Sequence, residues 1–452
     1  MILKDNGLVF SVTVFIFILI LGLTSFFAVK QKTAKSKPNL IIISIDTLRA
    51  DHVGVYGYLK DTTPNIDNFA KNSTILTNFR TVIPMTYPSF ATLFNGQYPF
   101  KTRITRNQGI LLSDRTPTLM KILKENGYKT ATFTTGALAP KATNLYNGVD
   151  SEDFMFFKTY QIIDEKELYT QDTNQNYESF LSKANTWLEN QTKDSQSNFF
   201  LWIHLMDPHA PYQPPEEYKC KFNRKFCDYI NSKSPEELEN ERATYQFCSL
   251  SPLPQEKKEL FETLYDGGIA YSDSLAGKIL EKIKELNIDK NTIIVIYSDH
   301  GEGFDHNYYF NHRGVLYDSA LRIPLIIRTP GSSGLNRSDL MLQNTDFLPT
   351  VLELMNIKYN TRNLDGKSFA GQLSSFKTIR QPKAKYQYFS NSYLTKYAIF
   401  DGRYKYIYSL DNACLLNGQK EELYDLNEVR RFNSYSTIQD QKLENLFNPL
   451  PY

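Results

Sequence analysis

The chain has 452 residues, of which 41% are apolar and 14% aromatic, enough for a large buried core and too apolar for a disordered chain. Its 51 basic and 49 acidic side chains leave a formal charge of +2, which excludes the electrostatic footprint of a nucleic-acid binder. Length alone allows about three domains, but a doubly wound sheet absorbs most of it.

In chain order, Leu8 to Val29 comes first, an uncharged run long enough to cross a bilayer core as a helix and too long for a signal-peptide apolar region. It predicts an uncleaved membrane anchor. Lys30, Lys32, Lys35 and Lys37 follow it, and by lysine count the large domain would stay cytoplasmic. A long domain translocates largely regardless of charge, and the cysteines lean outward. Cys220, Cys227 and Cys248 fall in one short stretch with Cys414 remote; four cysteines permit three full pairings, and the first three are expected to contribute at least one disulfide. The large domain is therefore placed on the exterior side.

After a polar linker to Pro38, Asn39 to Ile45 reads as a buried strand ending in Asp46. Thr86 to Phe94 reads as a helix start, with Thr86 at the N-cap and Pro88 in the first turn. A hydroxyl there is either a structural cap or a nucleophile at the positive end of a helix. Thr130 to Thr134 is a further strand, and Phe199 to Ile203 another, running into His204 and the string DPHAPY. A long insertion is expected over Gln213 to Glu262.

Ile293 to Gly303, IIVIYSDHGEG, is the most informative stretch: an apolar strand breaks into Asp299 and His300, with Gly301 and Gly303 letting both face one cation. A carboxylate beside a neutral imidazole suits zinc or manganese best without choosing between metals. Pro324 to Ile327 is the last strand of this kind, and helical spacing at Thr118 to Asn126 and Ser272 to Leu286 makes the order βαβ. Several strands thus hand polar residues to one carboxyl-end rim, where open α/β sheets place their sites.

The strings SIDTLRADHVGVYGY (Ser44 to Tyr58), TTPNIDNFA (Thr62 to Ala70), TYPSFATLFNGQYP (Thr86 to Pro99), DPHAPY, SDHGEG, LRIPLII (Leu321 to Ile327), RYKYIY and EELYDL together resemble the sulfatase branch of the alkaline phosphatase superfamily. The resemblance implies an α/β fold with a large mixed, mainly parallel sheet flanked by helices and a small C-terminal antiparallel subdomain, preceded here by one transmembrane helix. Domain bounds follow as anchor and linker 1–37, catalytic domain 38–380 and C-terminal subdomain 381–452, with the break near Ser374 to Ala384. By matching motif, Asp46, Asp299 and His300 would be metal ligands and Thr86 the nucleophile and a fourth ligand. His209 would meet the leaving oxygen, His312 the substrate anion, and Asn107 the same anion. The chain has only 6 histidines, all of them inside these motifs or within nine residues of one.

Departures from the family pattern shape the expected chemistry. Family members have Cys or Ser at position 86, followed by x-Pro-Ser-Arg and oxidised to formylglycine; here Thr86 cannot yield that aldehyde and Phe90 replaces the Arg. Thr47 replaces a second family acid, and no Asp-x-x-x-His string supplies a second metal. The remaining set is similar to the one-metal site of the superfamily's phosphoryl transferases. The resemblance therefore implies one divalent cation (Zn, Mn, Ca or Mg) and transfer or hydrolysis of a phosphate or sulfate ester through a covalent Thr86 intermediate, phosphoester favoured. Sulfuric ester hydrolysis and a non-catalytic binding or assembly role are the alternatives.

Overall fold

The computed structural model describes residues 37–426, apart from 108–109, 137–142, 156–158, 164–165, 171–175, 194–196, 249–252, 374–386, 413–414 and 416–418. The Leu8 to Val29 run and the expected break at Ser374 to Ala384 lie outside the described residues, as does Cys414. Among the described residues no helix is long and apolar enough to cross a membrane. The folded unit opens at Asn39.

Its main sheet contains β1 (Asn39–Ile45), β2 (Thr74–Leu76), β3 (Lys129–Thr135), β4 (Ser151–Met155), β5 (Phe199–Leu205), β6 (Thr292–Tyr297), β7 (Leu325–Arg328) and β8 (Asn336–Ser338). Their spatial order is β8-β2-β7-β6-β1-β5-β3-β4. All run one way except β7, which is antiparallel to both β6 and β2. The sheet is therefore mixed and mainly parallel, as expected.

Helices cover both faces, which is why the central strands read as unbroken apolar runs. On one face Leu40, Ile42, Phe200, Trp202, Val295 and Tyr297 pack with α2 (Thr86–Asn95), α3 (Leu119–Glu125) and α6 (Phe347–Leu354). On the other, Ile41, Ile43, Leu201, Ile203, Ile294 and Ile296 meet α1 (Pro64–Ala70), α4 (Tyr177–Lys193) and α5 (Gln255–Glu285). Each such fully buried Ile or Leu contributes about 2 kcal/mol. Pairing of Ser44 with Tyr297 on one side and with His204 on the other brings the carboxyl ends of β1, β5 and β6 to one level.

Helix α5 corrects two expectations. It begins at Gln255, well before Ser272, and buries Leu260 and Phe261, so residues 255–262 belong to the core and not to an insertion. The pair Gly267-Gly268 inside it is a contact surface. A Cβ on Gly267 would lie 2.5 Å from the Tyr218 carbonyl oxygen, and one on Gly268 would lie 2.7 Å from that of Asp207. The excursion before α5 holds the helix Pro235–Thr244, closed by a capping box between Ser234 and Glu237, and a disulfide joining Cys220 to Cys227.

The C-terminal residues form an antiparallel sheet of β9 (Gln387–Ser390), β10 (Lys396–Phe400), β11 (Tyr404–Ser409) and β12 (Glu421–Asp425). A buried ion cluster joins it to the main body: Asp318 accepts from Arg80 Nη2 at 2.8 Å and from Lys405 Nζ at 2.8 Å. The Arg80 guanidinium also lies 4.4 Å from the centre of the Phe400 ring.

Candidate active site

Asp46 is the first residue beyond β1, and its amide donates to the Leu205 carbonyl at 2.8 Å, holding it at the rim. Beyond β6 the turn is locked by Ser298, whose Oγ accepts from Leu48 N at 3.0 Å and donates to the His300 carbonyl at 2.8 Å. The glycines act differently from expectation, since neither Gly301 nor Gly303 has a positive φ. They are required by close approach: a Cβ on Gly301 would lie 1.9 Å from the Ser319 carbonyl oxygen. The strained backbone is instead at Thr47, a β-branched residue at φ 53°, whose amide donates to Asp299 Oδ1 at 3.2 Å.

His300 Nδ1 lies 2.9 Å from the Gly301 carbonyl and must donate to it, so Nε2 presents a lone pair. That lone pair faces Asp299 Oδ2 at 3.3 Å and Asp46 Oδ1 at 4.0 Å, and among the described residues neither of these oxygens has a hydrogen-bond partner. Asp46, Asp299 and His300 are all fully buried, with their ligand atoms within 4.8 Å of one another. Lone pairs gathered this way in a dry interior repel unless positive charge lies between them, so the donor set fits a divalent cation. Burial pushes the Asp299 carboxyl up, and the Asp46 charge pushes it further. Burial would raise Asp46 too, but the His204 hydrogen bond and the charges of His209 and His300 bring it below the ordinary carboxylate range.

Thr86 is the first helical residue of α2, and the extended Met85 before it is the N-cap. This corrects the cap position. The Thr86 hydroxyl is thereby released from capping and lies 3.3 Å from His300 Nε2 and 3.5 Å from Asp46 Oδ2. Ser89, one turn along, donates to the Asp299 carbonyl at 2.7 Å and so ties the helix to the β6 rim. The amides of this helix start are largely committed: Tyr87 N donates to Asn107 Oδ1 at 2.9 Å, Pro88 has none, and Ser89 N donates to Met85 O at 2.9 Å. Asn107 thus stands beside Thr86 with its oxygen spent on the helix.

His209 hydrogen-bonds through Nδ1 to the Ala210 carbonyl at 2.6 Å, and its ring centre is 5.5 Å from that of His312. The His312 ring lies 4.0 Å from the His300 ring, and its Nδ1 is 3.4 Å from Glu302 Oε1. Burial, then the charges of His300 and His209, push the His312 imidazole well down, so it is neutral near neutral pH. His52 pairs with Asp266, and His306 pairs with Asp305 and stacks on Tyr317, both in structural roles.

A profile of the sulfatase family matches residues 38–357. The chain belongs to the sulfatase family. A second profile, N-sulphoglucosamine sulphohydrolase, C-terminal, matches residues 305–449 of this sulfatase-family chain. A relative, the ulvan-active sulfatase of Formosa agariphila, is 28% identical over 73% of this chain and 64% of its own length, so the chain spans less than two thirds of that protein. A protein solved in complex with its substrate D-glucosamine-2-N,6-O-disulfate has the same fold, with a TM-score of 0.69 at 20% identity over 88% of this chain and 92% of that one. So does the phosphonate monoester hydrolase of Agrobacterium radiobacter, with 0.66 at 19% identity over 90% and 93%. The named relatives are ester-bond hydrolases, and sulfatase-family proteins usually bind a divalent cation.

Phe90, which the sequence resemblance sets at the family's arginine position, packs on Trp202 at 4.7 Å and on His204 at 5.0 Å between ring centres. The pattern reading assigned no role to two residues that border the site, Glu302 and His204. Glu302 follows Gly301 in the same string, and only folding reveals its approach to His312. His204 ends an apolar strand run, and its direction depends on a register that one chain segment does not reveal.

Proposed function

We propose that the chain is a membrane-anchored, metal-dependent hydrolase or transferase that cleaves a phosphate or sulfate ester through a covalent Thr86 intermediate, with phosphoesters preferred. The observation that carries this reading is the Thr86 hydroxyl, free of capping duty and 3.3 Å from a lone-pair nitrogen of the candidate cation site. A divalent cation held by Asp46, Asp299, His300 and Thr86 would supply positive charge beside the nucleophile and the ester oxygen. Thr86 Oγ1 attacks phosphorus or sulfur in line; the new bond forms as the bond to the ester oxygen breaks, and the hydroxyl proton leaves by way of Asp46 Oδ2 to water. With Nδ1 of His209 committed to Ala210, the proton delivered to the departing oxygen is the one on Nε2. His312, held through Nδ1 by Glu302, meets the transferred anion as an imidazolium: the anion's charge restores the second proton, and Nε2–H donates to it. Water or an alcohol acceptor then attacks the covalent intermediate and frees Thr86, so hydrolase and transferase differ only in that acceptor.

Threonine at position 86 supports the phosphoester preference, because a secondary hydroxyl cannot become an aldehyde hydrate. The named sulfatase relatives support sulfate ester cleavage as the second reading. Mass spectrometry of enzyme quenched during turnover separates them, as phosphate or sulfate on Thr86; a sulfate adduct defeats the preference. The Cys220–Cys227 disulfide supports an exterior catalytic domain.

A further inference from the structure

Asp46 is gripped from behind by a chain of polar groups inside the apolar core. Trp202 Nε1 donates to Ser44 Oγ at 2.9 Å, and an indole N–H has no other role than donor. Ser44 keeps one proton to give. Its nearer acceptor is His204 Nδ1 at 2.9 Å; the Ile203 carbonyl is at 3.3 Å. The other imidazole nitrogen, Nε2, lies 3.3 Å from Asp46 Oδ2. Trp202, Ser44, His204 and Asp46 are each 0% exposed, and the edge contact with Phe90 closes the imidazole off further.

The geometry points to His204 as a positioning residue that donates its Nε2 proton to Asp46 Oδ2 and so turns Oδ1 toward the cation. This inference rests on the proposed cation site. A carboxylate accepts only, so a lone pair on Nε2 facing Asp46 would be repelled, whereas an N–H there holds the carboxyl plane. Oδ1 is then the unpartnered oxygen, facing His300 Nε2, and Ser44 and Trp202 fix the ring that sets this division. Phe90 contributes by keeping water from competing for either imidazole nitrogen. The apolar residue at the family's arginine position is thus part of the same device.

The test is equilibrium uptake of Mn²⁺, Zn²⁺, Ca²⁺ and Mg²⁺, each alone, by the full-length chain and its His204→Phe and His204→Gln variants. Alongside it, ¹H–¹⁵N spectra of histidine-labelled, metal-free wild type read the His204 tautomer, and thermal unfolding of each metal-free variant reads the fold. His204→Phe is expected to weaken uptake of the preferred cation 10- to 100-fold. His204→Gln, whose amide N–H reaches about as far as Nε2, is expected to recover most of that loss, which a merely space-filling histidine would not predict. Equal uptake by wild type and a folded His204→Phe protein overturns the positioning role alone. A proton on Nδ1 with none on Nε2 also overturns it, and needs no variant. Wild type that takes up none of the cations overturns the cation site itself.

Discussion

The hydroxyl of Thr86 faces Nε2 of His300 at 3.3 Å, although the two residues lie 214 positions apart in the chain. Ser89 sets that distance by tying the helix to the Asp299 carbonyl. Thr86→Ala is therefore expected to abolish turnover and to weaken cation uptake by the loss of one ligand, while leaving the fold intact, since no cap is lost. Thr86→Ser is expected to keep substantial activity, because a primary hydroxyl at the same point still attacks. Rates on an aryl phosphodiester and the matching aryl sulfate check both; an active Thr86→Ala protein would sink the mechanism.

Asp299→Asn removes one charged oxygen from the candidate cation site while its backbone contacts with Ser89 remain. Loss of bound cation and of most activity together is expected, read as metal content of purified protein after dialysis. Full occupancy in this variant would refute the ligand assignment.

Much of this site was legible because buried strands end abruptly in charged residues. Asp46, Asp299 and His300 each stand where an apolar run stops, and such stops mark a sheet rim. Parity and register were not legible. His204 also follows an apolar run, but only pairing of Ser44 with His204 aims it at Asp46. The reversed direction of β7 is likewise set by the long connection from β6 over residues 298–324, whose path composition does not reveal. Thr86 was misplaced by one position because Pro88 is tolerated anywhere in a first turn, so its spacing does not fix the cap. Asn107 accepts from the Tyr87 amide through Oδ1, so a contact with an anion falls to its side-chain N–H, a division that sequence does not reveal.

The cluster of Arg80, Asp318 and Lys405 predicts an acid-sensitive join between the two sheets. Burial alone would raise the Asp318 carboxyl, but Arg80 and then Lys405 pull it well below its usual range. A folded-state pKa below the unfolded value of about 4 contributes stability above that pH and loses it as pH falls further. Asp318→Asn leaves two buried cations uncompensated, at a cost of about 3 kcal/mol near pH 7. Denaturant midpoints between pH 7 and 2.5 are expected to fall more steeply below pH 4 for wild type than for the variant. Parallel curves would show that Asp318 is not the responsible group.

The proposed anchor predicts that the full-length protein is extracted only with detergent and that protease added outside intact cells reaches the catalytic domain. Protection from that protease would overturn the exterior placement and favour the lysine count.

Gly268 is where the loop bearing His209 touches down on a helix that starts almost fifty positions later. The loop that carries His209 is thus held against the backbone surface of that helix. The stretch of chain in between leaves after Tyr218, itself seated on Gly267, and rejoins the body as the helix. It is moored along its way, with Phe226, Ile230 and Leu238 sunk into the core and the Arg242 guanidinium donating to the Phe310 carbonyl at 2.9 Å, so the segments that carry His209 and His312 share one anchorage.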